Sequence, residues 1–84
     1  MKIQNRMGLH ARPAALVAQL AGSFDAKICI FDAENTSADA KSILSLLMLG
    51  APCGAELRVC AEGGDAAEAL QAMRGLFDGK FDED

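Results

Sequence analysis

His10 is the only histidine of the chain, and Arg12 and Pro13 follow it closely in the run Gly8-Leu9-His10-Ala11-Arg12-Pro13. An imidazole is a competent nucleophile near neutral pH. A phosphoryl group attached to it sits on a weak N–P bond and can be handed on. The pattern turns helical at Ala11, so His10 stands where loop becomes helix. The first N–H groups of a helix have no intrahelical acceptor and carry the positive end of its dipole, so an anion on His10 would meet the amides of Ala11 and Arg12. Arg12 adds a fixed positive charge. Pro13 loses no hydrogen bond in that turn and holds φ near the helical value, while Gly8 lets the loop turn at no steric cost. The plainer alternative is a His10 that merely starts a helix beside a solvated Arg12. As a metal ligand His10 lacks a partner at i+3 or i+4. A hydrolase or kinase needs a general base, a carboxylate cluster or a nucleotide cradle, and residues 1–24 hold no Asp or Glu. These residues suit a site that carries phosphate, with no cofactor, rather than a stand-alone enzyme.

The elements that must position this site are readable around it. Residues 1–7 are a weakly patterned strand candidate that ends in the turn-like Asn5-Arg6-Met7-Gly8. In the helix from Ala11, the residues Pro13, Leu16, Val17, Leu20 and Phe24 recur at three- and four-residue steps until Gly22-Ser23 stops it. Lys27–Phe31 is a half-buried strand with Ile28 and Ile30 on one face, and an extended piece near Thr36–Ala38 returns as its hairpin partner. Ser42–Gly50 opens on a capping hydroxyl and closes on a glycine suited to a helix end, which marks a two-turn helix. That helix is apolar nearly all round. Leu46 and Leu49 turn inward most easily, and about half of the helix's apolar residues are expected in the core, so some of Ile43, Leu44, Leu47 and Met48 are left toward the surface.

After the loop Ala51-Pro52-Cys53-Gly54, residues 56–62 alternate cleanly with Leu57, Val59 and Ala61 facing in. Asp65-Ala66-Ala67-Glu68 has the form of a capping box for a last helix whose buried face is Ala66, Ala69, Leu70, Met73 and Phe77, ending at Gly79. The tail 80–84 reads as acidic and mobile. The order is βαββαβα with alternating strands, which predicts an α+β open-faced sandwich, an antiparallel sheet covered on one face by helices. There is no internal repeat or linker, so residues 1–84 are expected to form a single domain.

Composition narrows the function classes. Eighty-four residues leave room for one core, and 51% hydrophobic content can fill it. The net charge is −4, there is no Trp or Tyr, and only four Phe are present, a poor supply for nucleic-acid binding. Residues 1–24 carry Lys2, Arg6 and Arg12 unopposed, whereas residues 25–84 carry five basic and twelve acidic side chains. The anion-friendly end is therefore the end that holds His10. No apolar h-region and no run of about 20 apolar residues occurs, which predicts a cytoplasmic protein without membrane insertion. Cys29, Cys53 and Cys60 are odd in number and lack Cys-x-x-Cys spacing, so free thiols are expected rather than a disulfide framework or zinc.

Gly8-Leu9-His10-Ala11-Arg12-Pro13-Ala14 resembles the active-centre motif of the HPr family, the histidine phosphocarriers of the phosphoenolpyruvate-dependent sugar phosphotransferase system. Lys41-Ser42-Ile43-Leu44 with Leu49-Gly50 resembles the family's second signature, around a regulatory serine. The two motifs stand in the right order, and the resemblance spans essentially the whole chain. It implies a four-stranded antiparallel sheet of order 1-4-2-3 under three helices. It further implies that His10 takes a phosphoryl group on Nδ1 from enzyme I, originally from phosphoenolpyruvate, and gives it to an enzyme IIA-type domain, with Arg12 steadying the phosphate.

Ser42 corresponds to the regulatory serine that an HPr kinase/phosphorylase modifies in some bacteria. Ile43, Leu44, Leu47 and Met48 would form an apolar docking patch for these partners on a monomeric carrier. Phosphate on Ser42 would favour the helix N-terminus but oppose docking, so that regulation acts on binding. A second function class follows, a regulatory binding module controlled through Ser42. Gln19 and Gly22 stand where sugar-branch members carry lysines, while Leu46-Leu47-Met48-Leu49 and the acidic tail look more like the nitrogen-related branch, NPr. In the family's strand order the strands of Cys29 and Cys60 are neighbours on the open face of the sheet.

Overall fold

A computed structural model describes residues 1–83. The helix α1 spans Ala11–Gly22 and buries Pro13, Ala14, Val17 and Ala21, with Leu16 and Leu20 packed at the edge of the core. The strand β1, Lys27–Phe31, has the expected alternation: Ile28 and Ile30 are buried while Lys27 is exposed. It pairs antiparallel with β2, Ser37–Asp39, with Ile30 opposite Ala38. On its other side lies β3, Arg58–Glu62, also antiparallel, with Ile28 opposite Ala61 and Ile30 opposite Val59.

The helix α2, Ile43–Leu49, obeys both of its end signals. The Ser42 Oγ accepts from the Ser45 N–H at 3.2 Å, and Gly50 closes the helix in the left-handed conformation with φ 61°. Its inward residue is Leu46, fully buried, with Leu49 partly so. The helix α3, Ala66–Asp78, buries Ala69, Met73 and Phe77. Side chains from every helix and strand meet in one apolar cluster with Ile3, Leu9, Leu57 and Phe81.

Three expectations fail, each for a physical reason. The sheet has three strands, ordered β2-β1-β3, rather than four. Residues 1–3 do run beside residues 55–57: Leu57 N–H donates to Met1 O at 2.7 Å and Ile3 N–H to Ala55 O at 2.9 Å. The pairing amounts to one bridge, Lys2 with Glu56, because the chain turns away at Asn5. The strands that do form keep the neighbours expected of them.

The capping box at α3 does not form either. Asp65 makes no cap hydrogen bond; its two carboxylate oxygens accept instead from Asp25 N–H at 2.9 Å and Ala26 N–H at 2.8 Å, which ties the start of α3 to the entry of β1. Those bonds, the one from Asp25 first, hold the Asp65 carboxyl below the usual carboxylate range.

The tail is not a loose end. Lys80–Asp82 winds one short 3-10 turn in which all three residues have positive φ, between 54° and 60°. Left-handed backbone costs an L residue roughly 1–2 kcal/mol. Opposing that cost, Phe81 is fully buried and meets Phe77 edge-on, with ring centroids 4.9 Å apart. The turn sends Glu83 back across the molecule. Asp84, the last residue of the expected mobile tail, lies outside the described residues.

Candidate functional site

The loop before α1 is held so that His10 has little freedom of position. Gly8 sits at φ 72°, and a Cβ there would come within 2.6 Å of Ala51 O and 2.9 Å of the Pro52 Cα, so only glycine fits both the dihedral and the space. Leu9 N–H donates to Ala51 O at 2.8 Å, and the buried Leu9 side chain anchors the loop to the core. His10 follows with extended backbone and makes no side-chain cap. Its carbonyl accepts the first helical bond, from Ala14 N–H at 2.9 Å. The N–H groups of Ala11 and Arg12 precede that bond and lie outside the helical ladder.

The imidazole is gripped from the far end of the chain. His10 Nε2 lies 2.8 Å from Glu83 Oε1, and the same oxygen accepts from Asn5 Nδ2 at 2.8 Å. The second Asn5 amide hydrogen goes to Gly8 O at 2.7 Å. Asn5 is fully buried, and its Oδ1 has no partner among the described residues. One side chain therefore links the glycine turn, the tail and, through Glu83, the ring. The hydrogen bond from His10, then that from Asn5, holds the Glu83 carboxyl below its ordinary value, and the Arg12 charge adds to this through space.

A carboxylate on Nε2 assigns the proton to that nitrogen and leaves the Nδ1 lone pair available. The ring keeps 33% of its side-chain surface exposed, enough for a reacting group to reach it. Arg12 and Ala11 are both exposed beside it.

The other expected residues stand as follows. Ser42 is half-buried, with its hydroxyl engaged as the cap of α2. Ile43, Leu44, Leu47 and Met48 are exposed by 46%, 68%, 40% and 79%, so this face of α2 is surface rather than core. Among the described residues no group of three or more His, Cys, Asp or Glu could hold a metal ion.

Comparison with known proteins decides the family. A family model described as the PTS HPr component phosphorylation site matches residues 1–78. Phosphocarrier protein HPr of Treponema pallidum (strain Nichols) is 43% identical over 84 residues, covering 100% of this chain and 94% of that protein. Phosphocarrier protein NPr of Escherichia coli (strain K12) is 42% identical over 84 residues, covering 100% and 93%. The crystal structure of HPr-C-His from Thermoanaerobacter tengcongensis superposes with a TM-score of 0.93 at 40% identity, covering 100% of this chain and 93% of that one.

This chain belongs to the HPr family. Proteins of the family are phosphocarriers of the phosphotransferase system, not enzymes in their own right. The HPr-like α+β architecture, three helices on an antiparallel sheet, is shared with the solved relative.

Three residues escaped the reading of the sequence. Glu83 and Asn5 belong to the candidate site: residues 1–24 hold no carboxylate, as the sequence shows, but the fold delivers one from position 83. Met7, 72% exposed three residues before His10, adds an apolar group to the same loop. A signal for Glu83 was present, since Phe81 in an otherwise polar tail is an anchor that fixes whatever follows it.

Proposed function

We propose that His10 is the phosphoryl acceptor of a phosphocarrier acting between phospho-enzyme I and an enzyme IIA-type domain. The observation that carries this reading is the bond from His10 Nε2 to Glu83, which leaves Nδ1 as the free nucleophile at the open head of α1. In the proposed step the Nδ1 lone pair forms the new N–P bond as the bond from phosphorus to enzyme I breaks. The proton stays on Nε2, the ring becomes a phosphorylated imidazolium, and the Glu83 carboxylate balances its charge. A cationic ring keeps the N–P bond weak, which favours the second transfer. In this reading the N–H groups of Ala11 and Arg12 and the Arg12 guanidinium receive the phosphate oxygens. Glu83 acts here as a positioning residue, since it touches the ring and not the phosphate.

Partners in this reading grip the exposed face of α2. Ile43, Leu44, Leu47 and Met48 offer packing that adapts to several surfaces without partner-specific hydrogen bonds. Residues 1–84 act as a single carrier unit, monomeric and cytoplasmic. Among the described residues no helix is long and apolar enough to cross a membrane.

The test is incubation with phosphoenolpyruvate and enzyme I, followed by intact-mass analysis. One acid-labile phosphoryl group is expected on the chain, and none on His10→Ala. Full labelling of His10→Ala removes the assignment. Offering the phosphorylated carrier to enzyme IIA domains of the sugar and nitrogen-related branches in parallel identifies the branch by the faster recipient.

A second reading, a binding module regulated at Ser42 by an HPr kinase/phosphorylase, is favoured by the apolar patch that begins at the next residue. It predicts that Ser42→Asp abolishes the cellular phenotype while His10→Ala preserves it.

A further inference from the structure

Cys29 of β1 and Cys60 of β3 are directly opposed in the antiparallel register. Both point to the face of the sheet that carries no helix: their neighbours Ile28, Ile30, Val59 and Ala61 turn toward the core, Cys29 is half-buried and Cys60 is exposed. The hydrogen bonds show which kind of pair this is. Ala40 N–H donates to Ile28 O, so the backbone of Ile28 faces β2 and that of Cys29 faces β3. Leu57 N–H donates to Met1 O, so Leu57 faces the first residues and Cys60, three positions on, faces β1. Cys29 and Cys60 are therefore a hydrogen-bonded pair, with Cα atoms about 5.5 Å apart, inside the roughly 4.4–6.8 Å that a disulfide spans. Their Cβ atoms, at the wide end of the range for opposed residues, about 5.5 Å, stand beyond the roughly 3.5–4.5 Å of a relaxed disulfide, so a bond between them must draw the strands locally together and is easily reduced. Both thiols are free in the structure, as is Cys53 in the loop before β3.

We propose that Cys29 and Cys60 are a dithiol modification site that closes into a reversible cross-strand disulfide by exchange with small-molecule disulfides such as oxidised glutathione. One thiolate attacks the glutathione disulfide, forming a mixed disulfide and releasing one glutathione thiolate. The second cysteine displaces the other glutathione, so the protein loses two hydrogens while the oxidised glutathione gains them. The exchange needs no oxidant beyond that disulfide. It takes place away from His10 and stands independently of the phosphocarrier reading.

The three cysteines fall into three tryptic peptides, residues 28–41, 42–58 and 59–74, so the pairing can be read directly. The folded protein is titrated with oxidised glutathione, quenched with acid and digested without reductant. The expected product has lost two hydrogens and joins peptide 28–41 to peptide 59–74. In denaturant that product should give way to a mixture rich in Cys53–Cys60, the pair nearest along the chain. In Cys29→Ser and Cys60→Ser the remaining opposed cysteine should keep its glutathione, with no bridge. A folded protein that stays reduced, carries separate glutathiones on Cys29 and Cys60, or links Cys53 to Cys60 overturns the proposal.

Discussion

The heads of α1 and α2 solve the same problem in opposite ways. Each must dispose of backbone N–H groups that the helix cannot satisfy itself. At α2 the solution is local: Ser42 reaches three residues forward and its hydroxyl takes the Ser45 N–H. At α1 the residue in the same position, His10, makes no cap, and its side chain turns instead to Glu83, 73 residues away. The helix that caps itself closes its N-terminus to an incoming anion, whereas the uncapped one leaves the amides of Ala11 and Arg12 for a ligand. Stability is thus placed at one helix head, and the proposed phosphoryl acceptor stands at the other. A phosphate on Ser42 would have to take over a cap that already exists; one on His10 would meet donors that no described residue takes up.

The widest break in this contrast is Phe81→Ala. Removing a fully buried aromatic side chain costs about 3–5 kcal/mol, with the lower end expected because the left-handed backbone of residues 80–82 can then relax. Denaturant unfolding should register the loss. Phosphoryl uptake should slow as well, because Glu83 is no longer delivered to His10, while the Ser42 cap is untouched. If uptake by the folded variant keeps its full rate, the tail has no part in the site.

Glu83→Gln separates chemistry from packing. It preserves the shape of the tail but removes the charge that balances a phosphorylated ring, so uptake from phospho-enzyme I should fall about tenfold, by analogy with the carboxylates that orient metal-bound histidines. The unfolding midpoint should move little, and an unchanged rate would exclude Glu83 from the transfer.

What the sequence made legible follows the same division. The helix α2, the strand β1 and the exposed apolar face were readable because their determinants sit within a few residues of one another: Ser42 and Gly50 bracket one helix, and Ile28 and Ile30 alternate within one strand. The motif around His10 was readable for the same reason. Its partners were not. Glu83 and Asn5 enter through a left-handed turn and a buried amide; Phe81 hinted at an anchored tail, but nothing local named the groups that the tail reaches. Asp65 carried a local signal that tertiary structure overrode, since two N–H groups at the entry of β1 claimed its carboxylate. The first strand shrank to one bridge because the turn at Asn5, needed to build the site, draws the chain off the sheet.

At the self-sufficient helix head the expected effects are smaller. Ser42→Ala removes the hydroxyl that caps Ser45 and should cost about 1 kcal/mol. His10→Ala has no cap to lose, so in a Glu83→Ala background, where its bond to the tail is already gone, it should cost less. Ser42→Asp keeps an acceptor and places a negative charge at the N-terminus, so it should recover the stability lost in Ser42→Ala while weakening attachment to partners. Equal destabilisation by Ser42→Ala and, in the Glu83→Ala background, by His10→Ala would erase the distinction between the two heads.

The subtlest test is the titration of Glu83. Its carboxyl is held below the ordinary glutamate value, first by the hydrogen bond from His10 and then by that from Asn5. A group depressed on folding stabilises the folded state fully above its unfolded value and loses that contribution as pH falls through its lowered folded value. The stabilising contribution of the Glu83 carboxylate should therefore be fully present above the ordinary glutamate value and be lost as pH falls through the lowered one. Carboxyl carbon shifts measured by NMR give the midpoint directly. Replacing His10 by Ala should raise that midpoint toward the ordinary value more than replacing Asn5 does, because the His10 bond is the larger cause. If the midpoint ignores His10→Ala, the carboxylate is not bound to the ring, and the open head of α1 would have to orient its histidine without help from the far end of the chain.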